Sequence, residues 1–417
     1  MSPLDYRLLV HRVSELVIGE ETAYEGGRLV AGRSQLEGLF ADPALARVSL
    51  DVARPGEDVR IVKVLDAIEP RAKEPGSGRI FPGLLGPAQP QGRGDTHVLR
   101  GVAVITAGYL PRAQEAVIDM AGPAAELTPF GSTHNLVISF EPAEDAPWEA
   151  VDAALRRGAL GVAEHLALAA VGAPPDEIVR PPRPGRCEGL PLVGAIVNLQ
   201  TQGSFKDVLV YGRSFGACLP VLFDPNELDD GAVVCAQYGH PALRNPTYIH
   251  QNAPVVQVLR ARHGVDLSFA GLVLSPEPVG QADKVLVSAL AARLCLLAGF
   301  EAAIVTKEGG GNADADVSLK LDALEELGIA PVGLFAEMAG RDGTDPGIVA
   351  PPQGSAALIS TGNYDATVAL PPVARALGGE RLDIAGCGAT DGTDLPYAAL
   401  LCALNPQGWG RLTCRAA

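Results

Sequence analysis

The feature that most constrains the fold is a regular alternation of apolar strand-like runs with helical patterns between residues 190 and 363. The strand-like runs are short, apolar and bounded by Gly or Pro: LPLVGAIVNLQ, LSFAGLVLSPE, AAIVTKEG, PVGLFAEM and AALISTGN. Helical patterns lie between them at VVQVLRARHG, 283–298 and 317–327, and KDVLVYGRS at 206–214 is predicted to begin a further helix. Strands that alternate with helices form a parallel sheet covered on both faces. We therefore predict an α/β fold with a mostly parallel, doubly wound sheet.

Four of the predicted strands are followed by loops that combine glycine with polar side chains. The loops are LQTQG at 199–203, KEGGGN at 307–312, EMAGRDG at 337–343 and STGN at 360–363. In an open α/β sheet, ligands bind outside the carboxyl ends of the strands, where such loops lie. The loops predict a polar pocket with these candidate substrate-binding residues: Gln200, Gln202, Glu308, Asn312 and Arg341.

The first part of the chain has a different pattern, with short β-rich runs separated by Pro and Gly. These runs lie at 47–52, 59–64 and 98–106. An amphipathic helix is predicted over 147–171, and the Pro-rich stretch 172–189 is the candidate linker. The predicted organisation is a β-rich N-terminal domain at 1–146, a helix and linker at 147–189, and an α/β domain with the substrate site at 190–417.

The densest polar cluster of the sequence is the segment CAQYGHPALRNPTYIHQN at 235–252. It combines a thiol, two imidazoles, hydroxyl groups and several amides, and a histidine beside a thiol or hydroxyl group can act as a general acid or base. The candidate catalytic residues are Cys235, Tyr238, His240, Thr247 and His250, and the candidate substrate-binding amides are Asn245 and Asn252. An irregular crossover whose polar side chains satisfy their own backbone would have the same composition.

Charge and cysteine content limit the class of protein. The net charge of −16 at pH 7 argues against binding to nucleic acid or to an anionic membrane surface, because like charges repel. No segment reaches the roughly 18 consecutive apolar residues of a membrane-spanning helix, and the N-terminus lacks a secretory pattern. The seven cysteines are scattered without a CxxC pair, which argues against a disulfide framework or a structural zinc site. The composition therefore predicts a cytoplasmic protein without a metal.

Several longer segments resemble the proprotein subunit of component B of glycine, sarcosine and betaine reductases, to which a subunit of D-proline reductase is related. The segments follow the family's order between residues 50 and 341: ARPGEDVRIVKVLDAIEPRAKEPGSGRIFPG, THVLRGVAVITAG, AVIDMAGPAAELTPF, LQTQGSFKDVLVYG, NPTYIHQNAPVV, KEGGGNADAD and EMAGRDG. The resemblance implies an oxidoreductase-like subunit of a hetero-oligomeric complex that acts on a small amino or carboxylate substrate by C–N or C–S bond chemistry. It also implies a partner subunit whose selenocysteine or cysteine attacks the α-carbon of the substrate.

The resemblance further implies a pyruvoyl cofactor, which forms when the proprotein cleaves itself before an internal cysteine. That cysteine precedes a block that stands here as NPTYIHQN, and its position falls at about Tyr238, preceded by Gln237. A tyrosine does not supply the Ser, Thr or Cys nucleophile that the cleavage requires. The nearest thiol is Cys235, preceded by Val234. The sequence therefore predicts an uncut chain without a pyruvoyl group.

Three hypotheses remain open on the sequence alone. In the first, the uncut chain binds its substrate through the 235–252 cluster and a thiol-bearing partner attacks it. In the second, Cys235 is the pyruvoyl precursor and the chain is cut before it. In the third, the chain is a non-catalytic scaffold that binds its partner, with EPRAKEPGSGRIFPGLLG at 69–86 as the docking arm.

Overall fold

The computed structural model describes residues 5–202, 207–410 and 412–415 of the chain. Gly203, in the predicted loop at 199–203, and Lys206, in the predicted helix at 206–214, lie outside these described residues. The helices are α1 (Arg33–Gly38), α2 (Trp148–Leu168), α3 (Pro225–Asp229), α4 (Thr247–Gln251), α5 (Pro254–Arg262), α6 (Gln281–Leu297) and α7 (Ala313–Glu326). Short 3-10 helices cover Pro123–Leu127, Pro129–Ser132 and Tyr397–Ala399. Across the described ranges, no helix combines the length and the apolar character needed to cross a membrane.

The part of the chain before α2 is rich in short strands, as predicted. They are β1 (Tyr6–Arg12), β2 (Glu15–Gly19), β3 (Ala23–Glu25), β4 (Arg28–Gly32), β5 (Leu45–Ala53), β6 (Val59–Ile61), β7 (Val64–Ile68), β8 (Arg71–Lys73), β9 (Gly94–Arg100), β10 (Val102–Ala107), β11 (Ile118–Asp119) and β12 (His134–Pro142). With β13 (Glu177–Val179), most of them form sheets in the orders β13-β1-β9-β8, β5-β12-β10-β7 and β2-β4-β3. The predicted run at 98–106 is interrupted at Gly101, whose φ of 92° ends one strand before the next begins.

The rest of the chain is organised around a seven-stranded sheet. Its strands are β14 (Leu192–Gln200), β17 (Val221–Phe223), β19 (Ser268–Glu277), β20 (Ala302–Val305), β21 (Ala330–Glu337), β22 (Ala357–Asn363) and β28 (Thr413–Arg415), where the label numbers follow chain order. The order across the sheet is β17-β19-β14-β20-β21-β22-β28. The five inner strands are parallel, and the two edge strands are antiparallel to their neighbours. Shorter strands complete the chain: β15 (Leu209–Val210), β16 (Arg213–Ser214), β18 (Val233–Val234), β23 (Thr367–Leu370), β24 (Arg375–Leu377), β25 (Arg381–Leu382), β26 (Cys387–Gly388) and β27 (Thr393–Pro396).

Helices cover both faces of this sheet, which confirms the predicted doubly wound α/β fold. Ala195 and Val197 of β14 pack in one apolar cluster with Val256 of α5. The residue between them, Ile196, packs on the opposite face with Ala291 of α6. Successive side chains of a strand point to opposite faces, so a strand buried on both faces is a continuous apolar run. The apolar run in LPLVGAIVNLQ therefore follows from the central position of β14 in the sheet.

The amphipathic helix predicted over 147–171 is α2, and it covers the N-terminal sheets. Its buried stripe includes Val151, Leu155 and Leu166, which share one apolar cluster with Leu50 and Leu136 of the strands. Burial of each such side chain contributes about 1.5–3 kcal/mol relative to leaving it exposed. The helix and the strands before it therefore have a common core, whereas the division into three predicted domains stays a prediction.

One local prediction was wrong. The helix predicted at 206–214 is a hairpin of β15 and β16, and its two-residue turn places Tyr211 and Gly212 at φ values of 51° and 72°. Paired positive φ values suit the twist of a hairpin, and glycine makes the second one inexpensive. The candidate linker 172–189 contains the short strand β13, which pairs with β1, and its role as a domain boundary stays a prediction.

The end of the chain returns to the N-terminal part. Strand β24 pairs in parallel with β6, giving the order β11-β6-β24. Beside this sheet the buried guanidinium of Arg60 donates hydrogen bonds to the carbonyl oxygens of Pro371, Ala389 and Asp391, at 2.7, 3.0 and 2.8 Å. It also pairs with Asp119, at 2.7 Å from Nε to Oδ1. The N-terminal sheets and the last fifty residues are thus held together by backbone pairing and by one buried cation.

Candidate functional site

Three polar side chains meet at the carboxyl ends of neighbouring strands, as predicted for a sheet of this type. Gln200 and Glu277 end β14 and β19, and Glu308 follows β20. The backbone N–H of Gln200 donates to Oε2 of Glu308 at 2.9 Å, and the backbone N–H of Glu308 donates to Oε1 of Glu277 at 3.0 Å. All three residues are buried. The carboxyl edge of the sheet therefore carries two carboxyl groups shielded from solvent.

Glu308 also fixes the segment that links β18 to α4. Its Oε1 accepts hydrogen bonds from the backbone N–H of Asn245 at 2.7 Å and from Nε2 of Gln237 at 3.3 Å. With the bond from Gln200, one carboxyl group joins three stretches of chain that are distant in sequence. Burial raises the pKa of Glu308 to about 7, although these hydrogen bonds oppose the shift. The carboxyl group of Glu308 therefore gains or loses its proton near neutral pH.

Glu277 lies deeper in the same edge. Burial and then the charge of Asp316 raise its pKa well above the ordinary range. Asp316 in turn pairs with Lys284, and Lys307 pairs with Asp314 in the same region. Buried charges of this kind require partners, because an isolated ion inside a protein costs several kcal/mol or more.

A second series of hydrogen-bonded polar groups includes Cys235. Its backbone N–H donates to the hydroxyl of Thr247 at 3.0 Å, and that hydroxyl donates to Oδ2 of Asp66 at 2.7 Å. Oδ1 of Asp66 accepts the backbone N–H of Thr247 at 2.8 Å, which fixes the start of α4. Burial raises the pKa of Asp66 to about 6. The thiol donates to the carbonyl oxygen of Gln237 at 3.1 Å, and burial followed by the charge of Asp66 raises the pKa of Cys235. The structure holds this thiol in its neutral form.

Cys235 is therefore expected to be unreactive in the folded protein. Treatment with iodoacetamide should label the exposed Cys218 at least about 100-fold faster than Cys235, since the buried thiol reacts only after local opening. Peptide mass spectrometry of the labelled protein measures both rates. In guanidinium chloride the two rates should become similar. Equal rates without denaturant would show that the thiol is accessible or ionised.

Tyr238, at the position where the family's cleavage cysteine is expected, is anchored to α2. Its hydroxyl donates to Oδ1 of Asp152 at 2.6 Å and accepts from Nη2 of Arg156 at 3.3 Å. Burial and then the charge of Asp152 raise the pKa of this phenol well above the ordinary range. The ring belongs to the apolar core of the N-terminal part. Tyr238 thus links the polar segment to the N-terminal core.

The two histidines of the cluster are uncharged at neutral pH. Burial lowers the pKa of His250 to about 3, and burial with the charge of Lys307 lowers that of His240. Within the described part of the chain, Nε2 of His250 and Nδ1 of His240 have no hydrogen-bond partner. The backbone of His240 has a φ of 49°, and its N–H donates to Oε1 of Gln114 at 2.6 Å. Strained backbone in a non-glycine residue persists only where its surroundings enforce it.

The remaining predicted residues fall into two other places. Gln202 and Asn312 bond to each other at 2.9 Å at the outer rim of the sheet edge, and Arg341 lies exposed in its loop. Asn252 belongs to a separate buried network, where its Oδ1 accepts from Arg71 at 2.7 Å and its Nδ2 donates to Glu69 at 3.1 Å. Gln200, Asn245, Glu308, Cys235 and Thr247 are the predicted residues that the fold brings together around one buried centre.

Arg244 is one of the residues of this centre that the sequence analysis missed, as are Asp66 and Glu277. The guanidinium of Arg244 is fully buried, and Nη2 donates to the carbonyl oxygen of Val64 at 2.6 Å. Neither Nε nor Nη1 has a hydrogen-bond partner among the described residues. The guanidinium carbon lies 5.8 Å from the centre of the Tyr238 ring, and its charge acts on Asp66 and Cys235. Its position next to Asn245 in the polar segment 235–252 was the sequence feature that could have identified it as a site residue.

The residues present fit a pyruvoyl group poorly. At Tyr238 the side chain has no nucleophilic atom at Cβ, and its hydroxyl is bound at the opposite end of the ring. At Cys235 the required sulfur is present, but the thiol is bound to a carbonyl oxygen and its pKa is raised. Formation of the thiolate that would attack the preceding peptide bond is therefore opposed.

Comparisons with known proteins agree with the resemblance found in the sequence. A family model described as glycine/sarcosine/betaine reductase component B subunits matches residues 6–415. Three of the relatives come from Peptoclostridium acidaminophilum, and the first of these is "Glycine reductase complex component B subunits alpha and beta". It is 35% identical over 417 residues, which cover 97% of this chain and 97% of the relative.

Two further relatives carry the names of other substrates. "Sarcosine reductase complex component B subunit alpha" is 33% identical over 419 residues, 97% of either chain. "Betaine reductase complex component B subunit alpha" is 31% identical over 380 residues, 88% of this chain and 86% of the relative. No solved structure matches the chain at a significant level.

Proposed function

Since the chain belongs to the family of glycine/sarcosine/betaine reductase component B subunits, we propose that it is the substrate-binding subunit of a reductase complex and works as one uncut polypeptide. The proposed substrate is a small amino carboxylate, the chemical class of the substrates in the relatives' names. A partner subunit with a thiol or selenol supplies the attacking atom. The homologues are named as components of complexes, which supports a hetero-oligomer.

The observation that carries the proposal is the buried guanidinium of Arg244. Two of its nitrogens have no acceptor among the described residues, and buried donors without acceptors are rare in folded proteins. A substrate carboxylate provides acceptors of the correct charge, and bonds between guanidinium and carboxylate are about twice as strong as neutral ones. The surroundings exclude water, which strengthens such an interaction further. We infer that Arg244 binds the carboxylate group of the substrate.

The chemistry balances without a cofactor on this chain. The partner's thiolate or selenolate donates an electron pair to the α-carbon, and a new C–S or C–Se bond forms. The C–N bond to the substrate's ammonium group breaks at the same time, and its electron pair leaves with the nitrogen as ammonia or a neutral amine. This chain would hold the carboxylate and orient the α-carbon, since fixed orientation lowers the barrier of such a displacement. In the C–S alternative a sulfur atom replaces nitrogen as the leaving atom at the same site.

A second candidate is the pyruvoyl-dependent enzyme cut before Cys235. One observation favours it: the backbone N–H of Cys235 is held by the hydroxyl of Thr247, which is itself bound to Asp66. A hydroxyl and a carboxyl group at the peptide bond are suitable for transferring protons during cleavage. The scaffold hypothesis has less support, because its docking arm is part of the core and buries Arg71, Ile80 and Phe81.

The intact mass of the purified protein under denaturing conditions separates the first two candidates. We expect one species at 43.2 kDa. The matched controls are Cys235→Ala and Tyr238→Phe, neither of which should change the pattern. If the wild-type protein gave two fragments, and only Cys235→Ala suppressed the cut, the uncut proposal would be wrong and Cys235 would be the precursor.

A further inference from the structure

Helix α6 leaves an apolar face uncovered beside the edge of the central sheet. Its inner face packs on the sheet, where Ala291 and Cys295 share an apolar cluster with Ile196 of β14. Among the described residues, no large apolar side chain is more exposed than Leu297, at 82%. Contiguous apolar side chains on the surface of a soluble protein mark an interaction site. The outer face of α6 exposes four of them: Val285, Leu286, Leu296 and Leu297.

The uncovered apolar face continues onto the edge strand β17. Leu222 of β17 pairs with Val273 of β19, and Val273 packs in the same cluster as Ala291 of α6. Paired residues of antiparallel strands point to the same face of a sheet, so Leu222 lies on the face that α6 covers. Leu222 is nevertheless exposed, because β17 ends the sheet. The exposed apolar surface therefore includes a helix and the sheet edge beside it.

The outer face of α6 has the spacing of a helix that packs against another helix. Successive members of one stripe are three, four, three and four residues apart, which is the spacing of the a and d positions of a heptad. Each member is exposed or half-buried, and residues at this spacing lie on one side of a helix. The stripe therefore indicates that a helix covers this face. It consists of Asp283, Leu286, Leu290, Arg293 and Leu297.

The order of charges along the stripe identifies that helix as α6 of a second copy. When two copies run antiparallel and are centred at the height of Ser288, residues at equal distances from Ser288 face each other. Asp283 then faces Arg293, and Leu286 faces Leu290. A parallel copy would instead place each charge against its own like charge, which is unfavourable. Neither Asp283 nor Arg293 has an ion-pair partner in the described part of its own chain.

From the exposed stripe and its self-complementary charges we propose that α6 forms the contact surface of a symmetric homodimer. A two-fold contact uses the same surface on both copies, so each facing pair occurs twice. The proposal goes beyond the reductase function and does not depend on it.

The antiparallel contact leaves both candidate sites open. Helix α6 begins four residues after Glu277, so its first turn lies at the carboxyl edge of the sheet. A helix of 17 residues is about 25 Å long. The candidate sites of the two copies would therefore lie at opposite ends of the contact, and an unlike subunit could reach each of them.

The first test is sedimentation velocity of the purified full-length chain between about 1 and 200 μM. We expect a reversible change from a species of 43.2 kDa to one of twice that mass, with a Kd of about 1–50 μM because the contact is small. Leu286→Asp should weaken the dimer at least about 100-fold, since it places a carboxylate in the apolar contact. The matched control is Leu168→Asp at the end of α2. The two leucines are similarly exposed, at 51% and 47%, and the control should dimerise as the wild type does.

Charge reversal tests the antiparallel register. Asp283→Arg and Arg293→Asp should each weaken self-association at least about 5-fold, because each places like charges together at two points. A mixture of the two variants should dimerise as the wild type does, since every arginine of one then faces an aspartate of the other. In a parallel contact, either variant alone would dimerise unchanged.

Three outcomes would overturn the proposal. One is a wild-type chain that stays at 43.2 kDa at the highest concentration, and another is a Leu286→Asp variant that dimerises as the wild type does. The third is a monomeric wild-type chain whose Leu286→Asp variant no longer assembles with an unlike subunit, which would assign the face to that subunit. Circular dichroism of each variant shows that loss of the dimer is not loss of the fold.

Discussion

Replacing Glu308 by alanine is expected to lower the free energy of unfolding by about 3–5 kcal/mol. The change removes the common acceptor of three donors: the N–H groups of Gln200 and Asn245 and the side-chain amide of Gln237. Each buried donor left without an acceptor costs about 1–3 kcal/mol, and part of this loss is offset because a buried charge is removed as well. Urea unfolding followed by circular dichroism measures the change. A loss below about 1 kcal/mol would mean that other contacts hold the segment.

The matched variant Glu308→Gln tests the charge separately. The pKa of Glu308 is raised by burial to about 7 from an ordinary 4.5, so the folded state binds a proton more tightly than the unfolded state. The associated stability, about 3 kcal/mol, is fully present below about pH 4.5 and is lost as the pH rises through 7. Asp66, with a pKa of about 6, acts in the same direction between about pH 4 and 6. Glu308→Gln should remove the part of the pH dependence between pH 5 and 7.

Replacing Arg244 by glutamine is expected to lower kcat/KM of the reconstituted complex by about 100- to 1,000-fold for carboxylate substrates. This corresponds to the loss of about 3–4 kcal/mol of charge-assisted hydrogen bonding in a water-excluded site. The measurement compares glycine with glycinamide, whose amide group has no charge. A carboxylate anchor predicts a loss confined to glycine.

Two controls separate anchoring from folding in this experiment. Arg244→Lys keeps the charge and should retain more activity than Arg244→Gln, though less than wild type because lysine lacks the planar donor arrangement. The melting temperature of each variant shows whether the bond to Val64 matters for stability. Equal losses for both substrates would indicate a structural role for Arg244, and full activity would contradict the anchor.

The strands of the central sheet could be predicted because burial on both faces makes each of them a continuous apolar run. Residues such as Ile196 and Val197 are buried on opposite faces, so the strand is apolar throughout and its ends are marked by polar loops. The hairpin of β15 and β16 was missed because its identity depends on two positive φ values at Tyr211 and Gly212. The sequence shows the glycine at this position but does not reveal that the backbone forms a two-residue hairpin turn there.

The candidate site could be predicted where it follows from strand order and not where it follows from distant contacts. Gln200 and Glu308 meet because parallel strands bring their carboxyl ends to one edge, whereas Asn245 reaches Glu308 from the segment that links β18 to α4. Asp66 reaches Thr247 only through the packing of the N-terminal part on α4, a contact between residues 181 positions apart. Arg244 was missed because arginine is almost never fully buried, and only the fold shows that it is.

The interleaving of the sheets has a consequence for how the two halves of the chain depend on each other. Strand β14 precedes the 235–245 segment in the chain and lies between β19 and β20, which both follow that segment. Strand β24, also from after the segment, pairs with β6 from before it. A break in that segment would leave both pieces hydrogen-bonded into one particle, whose size in native solution would be that of the unbroken chain. Each half also lacks strands that only the other supplies, so the halves are obligate folding partners, and neither is a module that evolution or a protein engineer could transplant alone.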